Sequence, residues 1–340
     1  MRSFTTYAAA LALSLSAAVL AQQPAGRDAT AVKGGSPGSP GNIEALQIRP
    51  NVYMLSGAGG NITVQFGADG AVVVDAGRLE SADGVIEAIK RLTGQPIRYV
   101  INTSADADHV GGNEQVAKAG KTLFQTNNPL GEGMTNGGAA AILAAERVLT
   151  RMSAPTGRVS PFATASWPTE TYNQRRKYMY LNGEGIEVLH QPAAHTDGDS
   201  VVFFRRSDVV AAGDILDTTR FPVIDLARGG SMQGEIDALN RLIDLAIPSI
   251  PLVSQEGGTY VVPGHGYLCD QLDVVEYRDM VTIVRDRVQS LINDGRSLDQ
   301  IKAARPALGY TARYGSESGD WTTSMFIEAV YRSLTRDTRK

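Results

Sequence analysis

Short apolar runs alternate with turn-forming residues from position 52 onward. Residues 52–55, 62–66 and 71–75 read as strands, separated by the turns Gly57-Ala58-Gly59-Gly60 and Gly67-Ala68-Asp69-Gly70. The period then changes: over residues 81–92, Val85, Ile86, Ile89 and Leu92 fall on one helical face. Residues 97–101 form a buried-type strand that delivers the chain into a polar loop at 104–109. A short helix is expected at 112–119, a strand at 122–125, and a helix over the Ala- and Leu-rich stretch 139–152. Residues 153–173, with prolines and Trp167, read as a long loop of the kind that serves as a lid or substrate wall. A second strand set follows at 177–181, 186–190, 201–204 and 209–212, then a helix at 235–246 and a last strand at 260–262. Beyond 270 the pattern is helical, at 274–292, 298–304 and 322–334. Two successive strand sets, each with helices, predict an α/β fold with two sheets face to face and helices outside. The expected main domain spans 43–270, and a C-terminal helical extension spans 271–340.

The N-terminal part follows a different pattern. Arg2 precedes an apolar run from Tyr7 to Leu20, and compact residues end at Ala21, which reads as a secretory signal peptide over residues 1–21. The run falls short of the ~20 apolar residues that span a bilayer, so no membrane span is expected in the mature form. Residues 22–42 carry Pro24, Gly34, Gly35, Pro37, Gly38 and Pro40 with few large apolar side chains, and read as a flexible linker. The expected location is therefore exported, periplasmic or secreted. Cys269 is the only cysteine, so no intrachain disulfide forms, and its position beyond a turn reads as small-residue packing. With 36 acidic and 32 basic residues, the net charge of −4 provides no basic field for nucleic acid.

Candidate chemistry concentrates at strand ends. Of four histidines, His109 follows Asp108 in the loop after 97–101, His195 sits in Ala194-His195-Thr196-Asp197-Gly198, and His265 sits in Pro263-Gly264-His265-Gly266. Asp214, in Ala212-Gly213-Asp214, ends another strand. Loops on a rigid scaffold collect functional groups there, and imidazole with carboxylate suits zinc, iron or manganese. His190 falls within a strand-like run and reads as packed. Three other readings fail. A calcium loop from Ser104 would need glycine at His109 and an acid at Gln115. A dinucleotide fingerprint from Gly57 would need glycine at Ile62. Ser200 lacks the Gly-x-Ser-x-Gly elbow of a serine hydrolase.

Five ordered motifs resemble the metallo-β-lactamase fold superfamily: Val74-Asp75-Ala76-Gly77, the loop 103–113, His195, Gly213-Asp214 and Gly264-His265-Gly266. The resemblance implies a four-layer αββα sandwich with a metal site at the sheet edge, often holding two metals. Glyoxalase II-like and lactonase-like members carry a bridging carboxylate where this chain has Asp214. The family loop usually reads His-x-His-x-Asp-His, whereas here it reads Ser104-x-Asp106-x-Asp108-His109. The first metal position would then use Asp106 with His195, because a neutral Ser104 hydroxyl is a weak ligand and flavodiiron-type relatives place a carboxylate at position 106. The second position would use Asp108, His109, Asp214 and His265. The expected cofactor is zinc, one ion firmly bound and the second weak or absent, with iron or manganese as alternatives.

The resemblance implies hydrolysis of a small ester, lactone, amide or β-lactam by metal-activated water. Asp108 would orient or deprotonate that water, and His195, if not a ligand, would act as base. Asp75 would support the loop from behind. The expected partner is a small-molecule substrate. One rival is a non-catalytic binding protein that kept the fold with a degenerate first site; another is an oxygen- or redox-active iron protein, suggested by Asp106. Specificity is expected from the loop at 153–173 and from the C-terminal helices.

Overall fold

A computed structural model describes residues 42–123, 138–153, 159–249 and 257–337. The expected signal peptide and all of the expected linker except its last residue lie outside the described residues. The first sheet runs in chain order through β1 (Glu44–Arg49), β2 (Val52–Ala58), β3 (Gly60–Gly67), β4 (Gly70–Val74), β5 (Ile97–Ile101), β6 (Ala141–Ala145) and β7 (Glu170–Tyr172). It is antiparallel up to β4 and parallel from β4 to β7. Its helices are α1 (Ala82–Leu92), α2 (Ala107–Val110), α3 (Asn113–Lys118) and α4 (Glu146–Met152). The second sheet holds β8 (Arg176–Leu181), β9 (Glu184–Gln191), β10 (Asp199–Phe204), β11 (Val209–Asp217) and β12 (Tyr260–His265), in the order β12-β11-β10-β9-β8. Helix α5 (Met232–Leu245) crosses between β11 and β12, which pair in parallel. Then come α6 (Gln271–Asn293), α7 (Leu298–Ala303), α8 (Thr311–Tyr314) and α9 (Thr323–Asp337).

Alternation along each strand sorts the apolar side chains into layers, since successive strand residues face opposite sides. On β4, Ala71 and Val73 join α1 residues Val85, Ala88 and Ile89 on the outer face of the first sheet. Val72 and Val74 face the other way and meet Ile186, Val188, Val202 and Phe204 of the second sheet. Val201, Val210, Ala212 and Val261 cover the remaining face and pack against α5, α6 and α9. The result is the αββα sandwich, and the described residues group as one compact unit, so the C-terminal helices are a layer of the same body. Helix α6 starts at a capping box in which Asp270 and Asp273 satisfy each other's backbone N–H groups at 3.2 and 3.0 Å. No helix among the described residues is long and apolar enough to cross a membrane.

The stretch at 139–152 departs from the helix expected there. Its first part is β6, a parallel strand between β5 and β7, and only Glu146–Met152 is helical. Alanine's helical advantage is under about 1 kcal/mol per residue. Burial outweighs it: Ile142 packs toward α1 and Leu143 toward the second sheet, each worth ~1.5–3 kcal/mol. Small apolar residues on both faces leave no alternation to betray the strand. Other differences are smaller, among them the edge strand β1, which the sequence pattern does not predict. Thr122 and Leu123 are not in a strand, while the rest of that expected strand lies outside the described residues. The expected loop at 153–173 contains the short edge strand β7.

Helix α5 carries a buried acid. Glu235 is fully buried, and neither carboxylate oxygen has a hydrogen-bond partner among the described residues. Burial, reinforced by Asp199, pushes its pKa well above the ordinary 4.5, which favours the neutral form.

Two outcomes follow from this packing. Leu143→Ala should lower stability by about 2–5 kcal/mol, read as a fall in the urea midpoint; a shift within error would remove β6 from the core. A carboxyl with a raised folded pKa contributes stability that is complete below its unfolded value and lost as pH rises through the folded one. Glu235→Gln should therefore lose less stability than the parent as pH rises above the ordinary carboxyl range, and parallel curves would contradict a raised pKa at Glu235.

Candidate metal centre

One edge of the sandwich gathers the chemistry. The chain leaves β4 at Asp75, leaves β5 into residues 102–109, turns at His195 between β9 and β10, and ends β12 at His265. Asp214 differs from the expected position, because β11 continues past it to Asp217. The pairing with β12 shifts register on both sides of Gly213, which has φ +56°. Such a bulge re-aims side chains, and here Asp214 lines the cavity. Glycine is required at two points of this corner. A β-carbon at 213 would lie 2.6 Å from the Thr103 side chain, and one at 264 would lie 2.7 Å from Asp214 Oδ1.

Asp75 organises the loop from below. Its backbone sits at φ +66°, a left-handed conformation that Asp tolerates. Oδ1 accepts the Thr103 N–H at 2.8 Å, while Oδ2 accepts Thr103 Oγ1 at 2.7 Å and His109 Nδ1 at 2.8 Å. His109 is fully buried, and its Nε2 is 3.1 Å from Asp214 Oδ1. His265 Nε2 lies 3.4 Å from that oxygen and 3.5 Å from Asp108 Oδ2. On the other side, His195 Nδ1 donates to the Val223 carbonyl at 2.7 Å, and Nε2 is 2.6 Å from Asp106 Oδ2 and 3.8 Å from Asp214 Oδ2. Two donor groups result, Asp108-His109-His265 and Asp106-His195-Asp214, each with its ligand atoms within 4.8 Å of one another. Asp214 stands between them, one oxygen toward each.

The electrostatics test whether a cation belongs here. Burial disfavours imidazolium, yet Asp214 and Asp75 outweigh it and raise His109 well above its ordinary value. Burial likewise opposes charge on His195, but Asp106 and Asp214 lift its pKa to about 10. Burial would raise Asp106, but His195 and Arg228 pull it down to about 2. Asp214 is held well below the usual carboxylate range, against its burial, chiefly by His109. The carboxylates thus favour positive charge on the imidazole side of this largely buried corner, a charge that protons or a metal would supply. Since Asp75 and a carbonyl take the Nδ1–H of His109 and His195, Nε2 is the nitrogen each would turn to a metal once its proton is displaced. Mixed oxygen and nitrogen donors suit zinc, iron or manganese. The residues therefore fit a divalent metal.

The structure brings Asp106, Asp108, His109, His195, Asp214 and His265 together. Ser104 Oγ accepts the Asp106 N–H at 3.2 Å, so it shapes the loop. His190 is tied to the Asp197 carbonyl at 2.8 Å, and buried Cys269 pairs with Val261 beside β12. Above the donors lies a cavity of about 340 Å³ whose walls also include Arg220, Arg228 and Trp321. None of these three was singled out by the sequence, because no spacing links them to the histidines. Arg228 holds Asp106 Oδ1 through Nη1 and Asp225 Oδ2 through Nε at 2.6 Å. None of the described residues of the loop at 153–173 lines the cavity, whereas the C-terminal extension supplies Asp320 and Trp321.

Comparisons with known proteins agree with this architecture. A stereoselective inverting sec-alkylsulfatase from Pseudomonas sp. superposes with a TM-score of 0.59 at 14% identity, covering 85% of this chain and 50% of that one. The chain thus spans half the length of that enzyme. A metallo-beta-lactamase from Pontibacter korlensis superposes with a TM-score of 0.52 at 18% identity, covering 71% of this chain and 99% of that one. These likenesses show the fold. No curated protein matches the sequence. The family model of the metallo-beta-lactamase superfamily matches residues 55–265, more than half of the chain, and the chain belongs to that superfamily.

Proposed function

We propose that this protein is an exported metal-dependent hydrolase acting on a small ester, lactone, amide or β-lactam. The observation that carries the reading is the convergence of two imidazole–carboxylate groups around Asp214 at the floor of an open cavity. Asp108, His109 and His265 with Asp214 form the stronger metal position, and zinc suits its donors. Asp106, His195 and Asp214 form the weaker one, since Arg228 already occupies one Asp106 oxygen. A bound divalent metal supplies a water whose pKa is lowered to about 7 and polarises a substrate carbonyl.

The chain's own groups then have distinct tasks. Asp108 borders the cavity, and among the described residues its side chain is ion-paired only with His265, at 3.5 Å. It is the group placed to orient the nucleophile and take its proton. His195 belongs with the ligands, because its Nε2 faces Asp106 and Asp214 and its other nitrogen is spent on Val223. Asp75 holds the His109 ring in the ligating tautomer.

Metal analysis of the purified protein should find about one equivalent of transition metal per chain or more, and less than about a tenth after reconstitution would end this reading. With an ester, lactone, cephalosporin and secondary alkyl sulfate panel, Asp108→Ala should lower turnover by about 10²–10⁴-fold. His265→Ala should lose metal, and Asp75→Asn should weaken metal affinity about 10–100-fold. Full metal content with no turnover on any substrate would favour the non-catalytic binding protein. Export rests on Arg2 and the apolar run that ends before Ala21. N-terminal sequencing of the protein from its natural host should start at Gln22, and an intact Met1 would refute export.

A further inference from the structure

The loop after β11 and the C-terminal helices meet over the cavity. Arg220 lines it, with Nε anchored to Asp217 Oδ2 at 2.7 Å. Asp217 is itself occupied by Thr219, whose N–H and Oγ1 reach Oδ1 at 2.8 and 2.6 Å. The two Nη nitrogens of Arg220 make no hydrogen bond among the described residues, so the outer face of a fixed fork is free. Arg228 lies beside Asp106 with its own Nε anchored, and its Nη2 has no acceptor among the described residues. Trp321 also lines the cavity, and its buried indole N–H has no partner there either. Asp320, at the rim, is exposed to solvent. Unused guanidinium donors in a fork match the paired oxygens of a carboxylate or a sulfonyl group, and an indole face suits an apolar body.

Segments beyond residue 265 set this wall. Tyr277 of α6 donates its hydroxyl to the Arg220 carbonyl at 3.1 Å, and the Phe221 N–H donates to the Tyr314 carbonyl of α8 at 3.1 Å. The Phe221 ring stacks on Phe326 of α9 with centroids 4.6 Å apart and planes 6° from parallel. Phe221, Tyr277 and Phe326 are all fully buried. The Arg220 loop therefore takes its position from helices outside the stretch matched by the family model.

We infer that the C-terminal helices form the substrate-selecting wall of the cavity. What they select is an oxygen-rich anionic group, gripped by Arg220, on an apolar body seated against Trp321. The word substrate rests on the hydrolase reading above; the recognition itself does not.

Calorimetric titration of the zinc-loaded full chain with phenylacetate, phenylmethanesulfonate and neutral phenylacetamide tests it. At least one anion should bind about tenfold or more tighter than the amide. Arg220→Met should shrink that preference to within about threefold at unchanged zinc content, whereas Arg220→Lys should retain part of it. Trp321→Leu should weaken all three probes while the preference persists. Phenylacetate alone binding tightly would identify a carboxylate, and the sulfonate alone a tetrahedral oxyanion. Equal affinity for amide and anions, a preference that survives Arg220→Met, or zinc loss in that variant would overturn the inference. The readout is binding, so this pattern without turnover sinks only the hydrolase reading, and turnover without this pattern sinks only the wall.

Discussion

Asp214 is the constraint around which the corner is built. Its two oxygens face different histidine groups, His109 and His265 on one side and His195 on the other. Placing that carboxylate in a buried setting, with Asp106 and Asp108 close by, is costly unless positive charge is concentrated there. The histidines, Arg228 and a divalent metal are the available sources. Every supporting feature follows from that need. The bulge at Gly213 re-aims Asp214, Gly264 leaves room for it, and Asp75 and Val223 orient the imidazoles so that their free nitrogens face inward.

The polar loop at 104–109 acquires a physical meaning in this setting. A carboxylate at Asp106 adds a negative charge where an imidazole would add none, and Arg228 balances it from a turn more than a hundred residues away. The same arginine removes one Asp106 oxygen from the donor set, which makes the two halves of the centre unequal. Ser104 does local work by accepting the Asp106 N–H and so supports that residue's place in the loop. The asymmetry is one of charge and donor number within an intact corner.

Much of the fold was legible because burial writes a period into the chain. Residues 97–101 were readable to their boundaries, and α1, α6 and α9 were readable from their apolar faces. Failure came at β6, where Ala141–Ala145 is apolar on both sides and favours helix by propensity. Its strand state comes from β5 and β7, which are distant in sequence. The edge strands β1 and β7 escaped notice for a related reason: pairing on one side defines them, and Glu44 to Leu46 and Thr171 present exposed positions without a clear alternation.

For the site, the sequence by itself determined the candidate donors, because histidine and aspartate beside glycine at strand ends carry their own chemical signal. Residues 108, 109, 195, 214 and 265 could be named from that signal, while Asp106 entered through the family resemblance. Tertiary structure alone decided that Asp214 stands between the two groups, which of its oxygens faces each, and which nitrogen of His109 and His195 points inward. It also decided the wall. Arg220, Arg228 and Trp321 carry no motif, and their meeting depends on α6, α8 and α9 packing against the loop after β11. Local patterns record what each segment buries, whereas which segments share a cavity is a long-range packing outcome that no local pattern encodes.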